Sequence, residues 1–196
     1  MTDRSQPFTA AQHAELLAIA RRAICERVRG LPVSDPIPGD PVLRTPGAAF
    51  VTLTQAGALR GCIGYVQAIR PLAETIAHCA ASAATSDPRF PAVAARELPH
   101  LHLEISVLSP LRRILDPGEI HVGLHGLHIS KDERRGLLLP QVATEYGWDR
   151  DTFLRQVCIK AGLASDAWRR GAEIQVFTVE RIADGLPVEA EPHQCS

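Results

Sequence analysis

One cysteine stands out for its setting, the run Leu59-Arg60-Gly61-Cys62-Ile63-Gly64. Glycine directly before it, at Gly61, and two residues after it, at Gly64, frees the backbone and lets a ligand come close to it. On a regular strand Arg60 shares a face with Cys62, where a positive charge would favour the thiolate. A thiolate held between a guanidinium and open backbone N–H groups is a nucleophile. The same residues also fit an inert cysteine in a tightly packed strand, because a free cysteine commonly behaves as a small hydrophobe. Spacing leaves both readings open.

Other residues could join Cys62. His125, between Gly123 and Gly126, is a candidate acid or base if it comes within hydrogen-bond reach, and otherwise a turn residue. Asp87 and Arg89 lie in the proline-stiffened run Asp87-Pro88-Arg89-Phe90-Pro91, where Arg89, or Arg60, is a candidate to bind an anionic group and where Asp87 and Arg89 otherwise pair with each other to fix the loop. His100, His102 and Glu104 are expected on one strand face, and His121, His125 and His128 are close in sequence. Imidazole and carboxylate donors suit Zn, Fe or Cu, but a polar strand face is more often simply exposed, so no metal is expected. No phosphate-cradling glycine loop, dinucleotide fingerprint or zincin helix is present, and no cofactor is expected. The candidate set is Cys62 and His125 for catalysis, with Arg60, Gly61, Gly64, Asp87, Arg89 and Glu104 for ligand binding.

The elements that must position these groups follow from pattern. Thr9 with Gln12 makes a capping box for a helix to about Arg29, ended by Gly30 and Pro32. Five prolines between Leu31 and Gly47 make an extended connection. Ala49 to Thr54 reads as a strand, Gln55-Ala56-Gly57 as a turn and Leu59 to Tyr65 as the returning strand that carries Cys62. A small-residue helix runs from Pro71 to about Ala84, and a short helix is expected near Val93 to Leu98. Leu101, Leu103, Ile105 and Val107 alternate with His102, Glu104 and Ser106, which is the clearest strand pattern in the chain. Residues 109–135 are rich in Pro, Gly and charge, with extended pieces expected at Ile120 to Val122, Leu127 to Ile129 and Leu137 to Leu139, and suit a smaller subdomain within about 109–147. Asp149 caps a helix through Ala161 with Gly162 as its stop, Glu173 to Val179 is a last strand, and the tail from Pro187 is expected to be mobile.

Composition narrows the class. At 196 residues, 45% hydrophobic and 22% charged, the chain fits a single globular domain with an ordered core from about 10 to 182. Strands and helices mix without βαβ alternation, so the expected fold is α+β, with a mainly antiparallel sheet flanked by helices. A net charge of -1, with basic pairs scattered among acids, predicts weak, salt-sensitive nucleic-acid binding at most. The polar start and the lack of a long apolar run predict a cytoplasmic protein with no membrane partner. Five cysteines without paired spacing are expected to be reduced thiols, with Cys25, Cys79 and Cys158 packed in helices and Cys195 in the tail.

In order along the chain, the Leu59–Gly64 run, the Asp87–Pro91 run, Ile105-Ser106-Val107-Leu108, Val122-Gly123-Leu124-His125-Gly126-Leu127, Gly136-Leu137-Leu138-Leu139-Pro140-Gln141-Val142 and Lys160-Ala161-Gly162-Leu163 resemble the successive motifs of the AMMECR domain family. Its bacterial and archaeal members are called AmmeMemoRadiSam system protein A, and the likeness covers residues 10–182. The resemblance implies a two-lobed α+β fold, with a larger lobe from both chain ends, a smaller one from the middle and the cysteine of the LRGCIG motif near the cleft between them. The family's biochemical activity is not established. Its association with a Memo-type protein and a radical SAM protein implies a shared redox or modification pathway. Two functions follow as expectations: a thiol-dependent enzyme, or a non-catalytic binding or accessory subunit for a partner protein or small ligand.

Overall fold

The computed structural model describes residues 7–185; the expected mobile tail from Pro187 and Cys195 lie outside the described residues. In chain order the elements are α1 (Ala10–Val28), β1 (Ala48–Gln55), β2 (Ala58–Tyr65), α2 (Leu72–Thr85), β3 (Leu101–Leu108), β4 (Arg112–Ile114), β5 (Gly126–Lys131), β6 (Arg134–Leu138), α3 (Pro140–Glu145), α4 (Arg150–Lys160), β7 (Glu173–Phe177) and β8 (Val179–Ala183). The described residues divide into two compact units, one from 7–108 with 180–185 and one from Ser109–Val179. The fold is α+β, with two antiparallel sheets flanked by helices.

In the first unit the strand order is β2-β1-β3-β8, so β2 is an edge strand. Alternation sends Ala49, Val51 and Leu53 of β1 and Leu103, Ile105 and Val107 of β3 into a core shared with α1 and α2. The opposite face of the same strands carries Thr52, Thr54, His102 and Glu104, all half-buried. Thr9 accepts a hydrogen bond from the N–H of Gln12 while the Gln12 side chain accepts one from the N–H of Thr9, so α1 begins with the expected capping box. Helix α2 buries Ala73, Ala77, Ala80, Ala81, Ala83 and Ala84, short side chains that let it lie close against the sheet.

The second unit has strand order β4-β7-β5-β6. Its core joins Leu127, Ile129 and Ile174 to Phe153, Leu154 and Val157 of α4, which is capped by Asp149 and stopped at Gly162, where φ is +70°. Three strands are as the pattern predicts, whereas Ile120 to Val122, expected to be extended, closes a 3-10 turn and enters a second turn. Strand β4, strand β8 and the one-and-a-half-turn helix α3 have too few residues to carry a period.

Among the described residues Cys62, Cys79 and Cys158 are free thiols. No helix among the described residues is long and apolar enough to cross a membrane.

Candidate functional site

The geometry around Cys62 begins with a bulge. Strands β1 and β2 meet at a turn in which Ala56 and Gly57 both take positive φ, and pairing proceeds from Gln55 opposite Ala58 to Thr54 opposite Leu59. The register then shifts: Leu53 lies opposite Gly61, and Arg60 is the extra residue. Beyond the bulge Thr52 pairs with Cys62 and Phe50 with Gly64.

A bulge re-aims the side chain it carries, and Arg60 is re-aimed completely. Its Nε donates to Glu97 Oε1 at 2.8 Å and its Nη2 to Glu97 Oε2 at 3.2 Å, while Nη1 donates to the Pro91 carbonyl at 2.7 Å and Nη2 to that of Ala92 at 3.3 Å. The carboxyl of Glu97 is held below its usual range by this guanidinium and by the Ala94 N–H. Arg60 therefore serves the 91–97 segment; the expectation that it shares a regular strand face with Cys62 fails because it sits in the bulge.

The cation that does reach Cys62 is Arg89. Asp87, buried, accepts the Cys62 N–H on Oδ2 at 2.8 Å. Asp87 also accepts from Arg89 three times, from the backbone N–H at 3.1 Å, from Nε at 2.9 Å and from Nη2 at 2.7 Å. Arg89 Nη2 in turn donates to the Cys62 carbonyl at 3.3 Å. The pair thus satisfies both outward backbone groups of Cys62 on an edge strand, as a neighbouring strand would. Arg89 holds the Asp87 carboxyl well below the usual carboxylate range, helped by the Cys62 N–H. The basicity of Arg89 is raised, chiefly by Asp87 and in smaller part by the charge and hydrogen bonding of the Cys62 side chain.

Because its N–H and C=O point outward, Cys62 forms a non-hydrogen-bonded pair with Thr52, the arrangement in which cross-strand side chains come closest. The Thr52 hydroxyl donates to Cys62 Sγ at 3.3 Å. On the far side of Thr52, Glu104 is its partner in β3, and the Glu104 carboxylate is bound by Arg181. Cys62, Thr52 and Glu104 therefore form one polar row across three strands. Thr52 is the residue sequence reasoning missed, since a threonine inside a strand pattern carries no chemical signal by itself.

The glycines act through close packing. Neither Gly61 nor Gly64 has positive φ, contrary to the conformational role expected of them. A Cβ on Gly61 would lie 2.1 Å from the Ala83 carbonyl oxygen of α2, and one on Gly64 would lie 2.2 Å from the Phe50 ring. The space freed at each is taken by the protein itself.

The histidines fall into separate settings. His125 belongs to the second unit and Cys62 to the first, so a thiol and base pair is not a feature of either unit by itself. His125 Nδ1 accepts the His121 N–H at 3.2 Å, and its pKa is lowered by burial first, then by His121 and Arg112. His100 ends a 3-10 turn before β3, so it does not share the strand face of His102 and Glu104 as expected. His128 is buried against Gln175 at 2.8 Å. Among the described residues no group of three or more His, Cys, Asp or Glu side chains could hold a metal ion.

Comparison with known proteins places this arrangement in a family. The AMMECR1 family model matches residues 17–182. A protein of Methanothermobacter thermautotrophicus is 44% identical over 171 residues, covering 83% of this chain and 88% of that protein. Protein TK0174 of Thermococcus kodakarensis is 42% identical over 184 residues, covering 88% and 90%. The crystal structure of the uncharacterized protein PH0010 from Pyrococcus horikoshii superposes with a TM-score of 0.83 at 38% identity, covering 91% of this chain and 95% of that one.

Proposed function

The chain belongs to the AMMECR1 family, and from that premise we propose that it is a thiol-dependent enzyme of a redox or modification pathway, with Cys62 as its reactive sulfur. The observation that supports this reading is a free, half-buried thiol whose backbone N–H is held by the buried Asp87 and whose carbonyl is held by the Arg89 guanidinium. A positive charge beside a thiol favours the thiolate, the form that attacks soft electrophiles and disulfides. In this proposal Arg89 binds the anionic form of the sulfur or an anionic group of the substrate, and Glu104 meets a donor group on the substrate. Asp87, Arg60, Gly61 and Gly64 hold the segment in place.

Alkylation tests the reading. Iodoacetamide at pH 7 should modify Cys62 faster than free cysteine. Alkylation at the rate of free cysteine or slower, read by peptide mass mapping, would refute it. The Memo-type and radical SAM partners implied by the family resemblance belong to the same proposal. A Memo-type partner that works on this site should slow the alkylation of Cys62.

The non-catalytic binding role has one observation in its favour: β2 is an edge strand, the kind of element on which another chain can pair. A thiol no more reactive than free cysteine would favour that role.

A further inference from the structure

We infer that Thr52 is the positioning residue of the Cys62 thiol, holding the sulfur from β1 on the polar face of the sheet. The inference rests on the proposed thiol reading and adds to it the residue that sets where the sulfur points.

Three observations carry it. First, β1 and β2 are in register at Thr52 and Cys62 only because the bulge at Arg60 shifts the pairing by one residue. Without that shift Cys62 would lie opposite Val51, which is fully buried in the core. Second, the Asp87 and Arg89 bonds turn the N–H and C=O of Cys62 away from β1, so the side chains of Cys62 and Thr52 stand in the close type of cross-strand pair. Third, the Thr52 hydroxyl has a single proton and directs it at Cys62 Sγ, 3.3 Å away.

A hydroxyl donating to sulfur stabilises the thiolate more than the thiol, because a hydrogen bond to a charged acceptor is the stronger kind. Thr52 thereby fixes the sulfur on the face where Glu104 stands on the next strand. Glu104, bound by Arg181, marks the far end of the row.

The test compares wild type, Thr52→Val and Thr52→Ser by the pH dependence of Cys62 alkylation with iodoacetamide, together with thermal melts. In each alkylation the thiolate displaces iodide, forming the S–C bond as the C–I bond breaks. Thr52→Val keeps size and branching but removes the donor. It should slow alkylation at pH 7 several-fold, with the melting temperature nearly unchanged. Thr52→Ser should restore the wild-type profile. If wild-type Cys62 reacts fast and Thr52→Val matches it, the positioning role is wrong and the thiol reading survives. If wild-type Cys62 reacts no faster than free cysteine, both fall together.

Discussion

Replacing Gly61 by alanine places a methyl carbon where no shift of a side chain can make room. The added Cβ would stand 2.1 Å from the carbonyl oxygen of Ala83 and 3.0 Å from its carbon, both backbone atoms of α2. Ordinary van der Waals contact begins near 3.4 Å, so strand and helix must part by roughly 1.3 Å at this point. The helix face that would lift is alanine, at Ala77, Ala80, Ala81 and Ala84, with no long side chains to reach across the gap. Overpacking of a well-filled core costs about 1–3 kcal/mol and sometimes more, and contact with backbone puts this case near the top of that range. For a chain of this size about 3 kcal/mol lowers the melting temperature by roughly 6–12 °C. Cys62→Ser is the internal comparison: serine keeps the donor and acceptor facing Thr52 at a half-buried position, and should cost less than about 1 kcal/mol. Circular dichroism melts of the two variants beside wild type decide the matter. A Gly61→Ala protein melting within about 2 °C of wild type, or a Cys62→Ser protein that unfolds, would refute the packing argument and return Cys62 to the core.

Two further outcomes follow from the charges and the remaining thiols. The Asp87 carboxyl is held low in the folded state by Arg89, so its contribution to stability is full above the unfolded value of about 3.9 and is lost as pH falls through the folded value. Asp87→Ala strips the Cys62 N–H of its acceptor and should cost about 2 kcal/mol near neutrality; the gap in melting temperature between variant and wild type should hold down to about pH 4 and narrow below it, and a gap that stays constant below about pH 4 would contradict the assignment. Burial pushes the Cys79 thiol up to about 12 and raises that of Cys158 as well, so iodoacetamide at pH 9 should label Cys62 in the folded protein and spare both.

The elements legible in the sequence were those whose signal is local. A capping box, a glycine stop and an alternation of Leu, Ile and Val against His, Glu and Ser each act within a few residues, and α1, β3 and α4 begin and end close to where those signals put them. Three residues of β4 or five of β8 hold no period, and their pairing is decided by strands far away in the chain, β7 for the one and β3 for the other. The same holds for the split of the strands into two sheets: each strand declares its own amphipathic face, but nothing local says which other face will cover it.

Around Cys62 the limit is sharper, because one residue of register separates two different sites. Counting back from the turn at Ala56 and Gly57 with plain pairing puts Cys62 opposite Val51 and leaves Arg60 on the same face as the sulfur. The expectation for Arg60 fails through the bulge, which absorbs Arg60, sends its guanidinium to Glu97 and carries Cys62 one step along, to Thr52. Glycine inside a strand often marks a bulge or the close approach of another backbone, and Gly61, the residue after Arg60, is where α2 makes that approach. The glycine that marks the motif thus acts at one remove from the sulfur: it lets the helix in, and the register that accompanies it gives Cys62 a hydroxyl neighbour on the open face in place of a valine in the core.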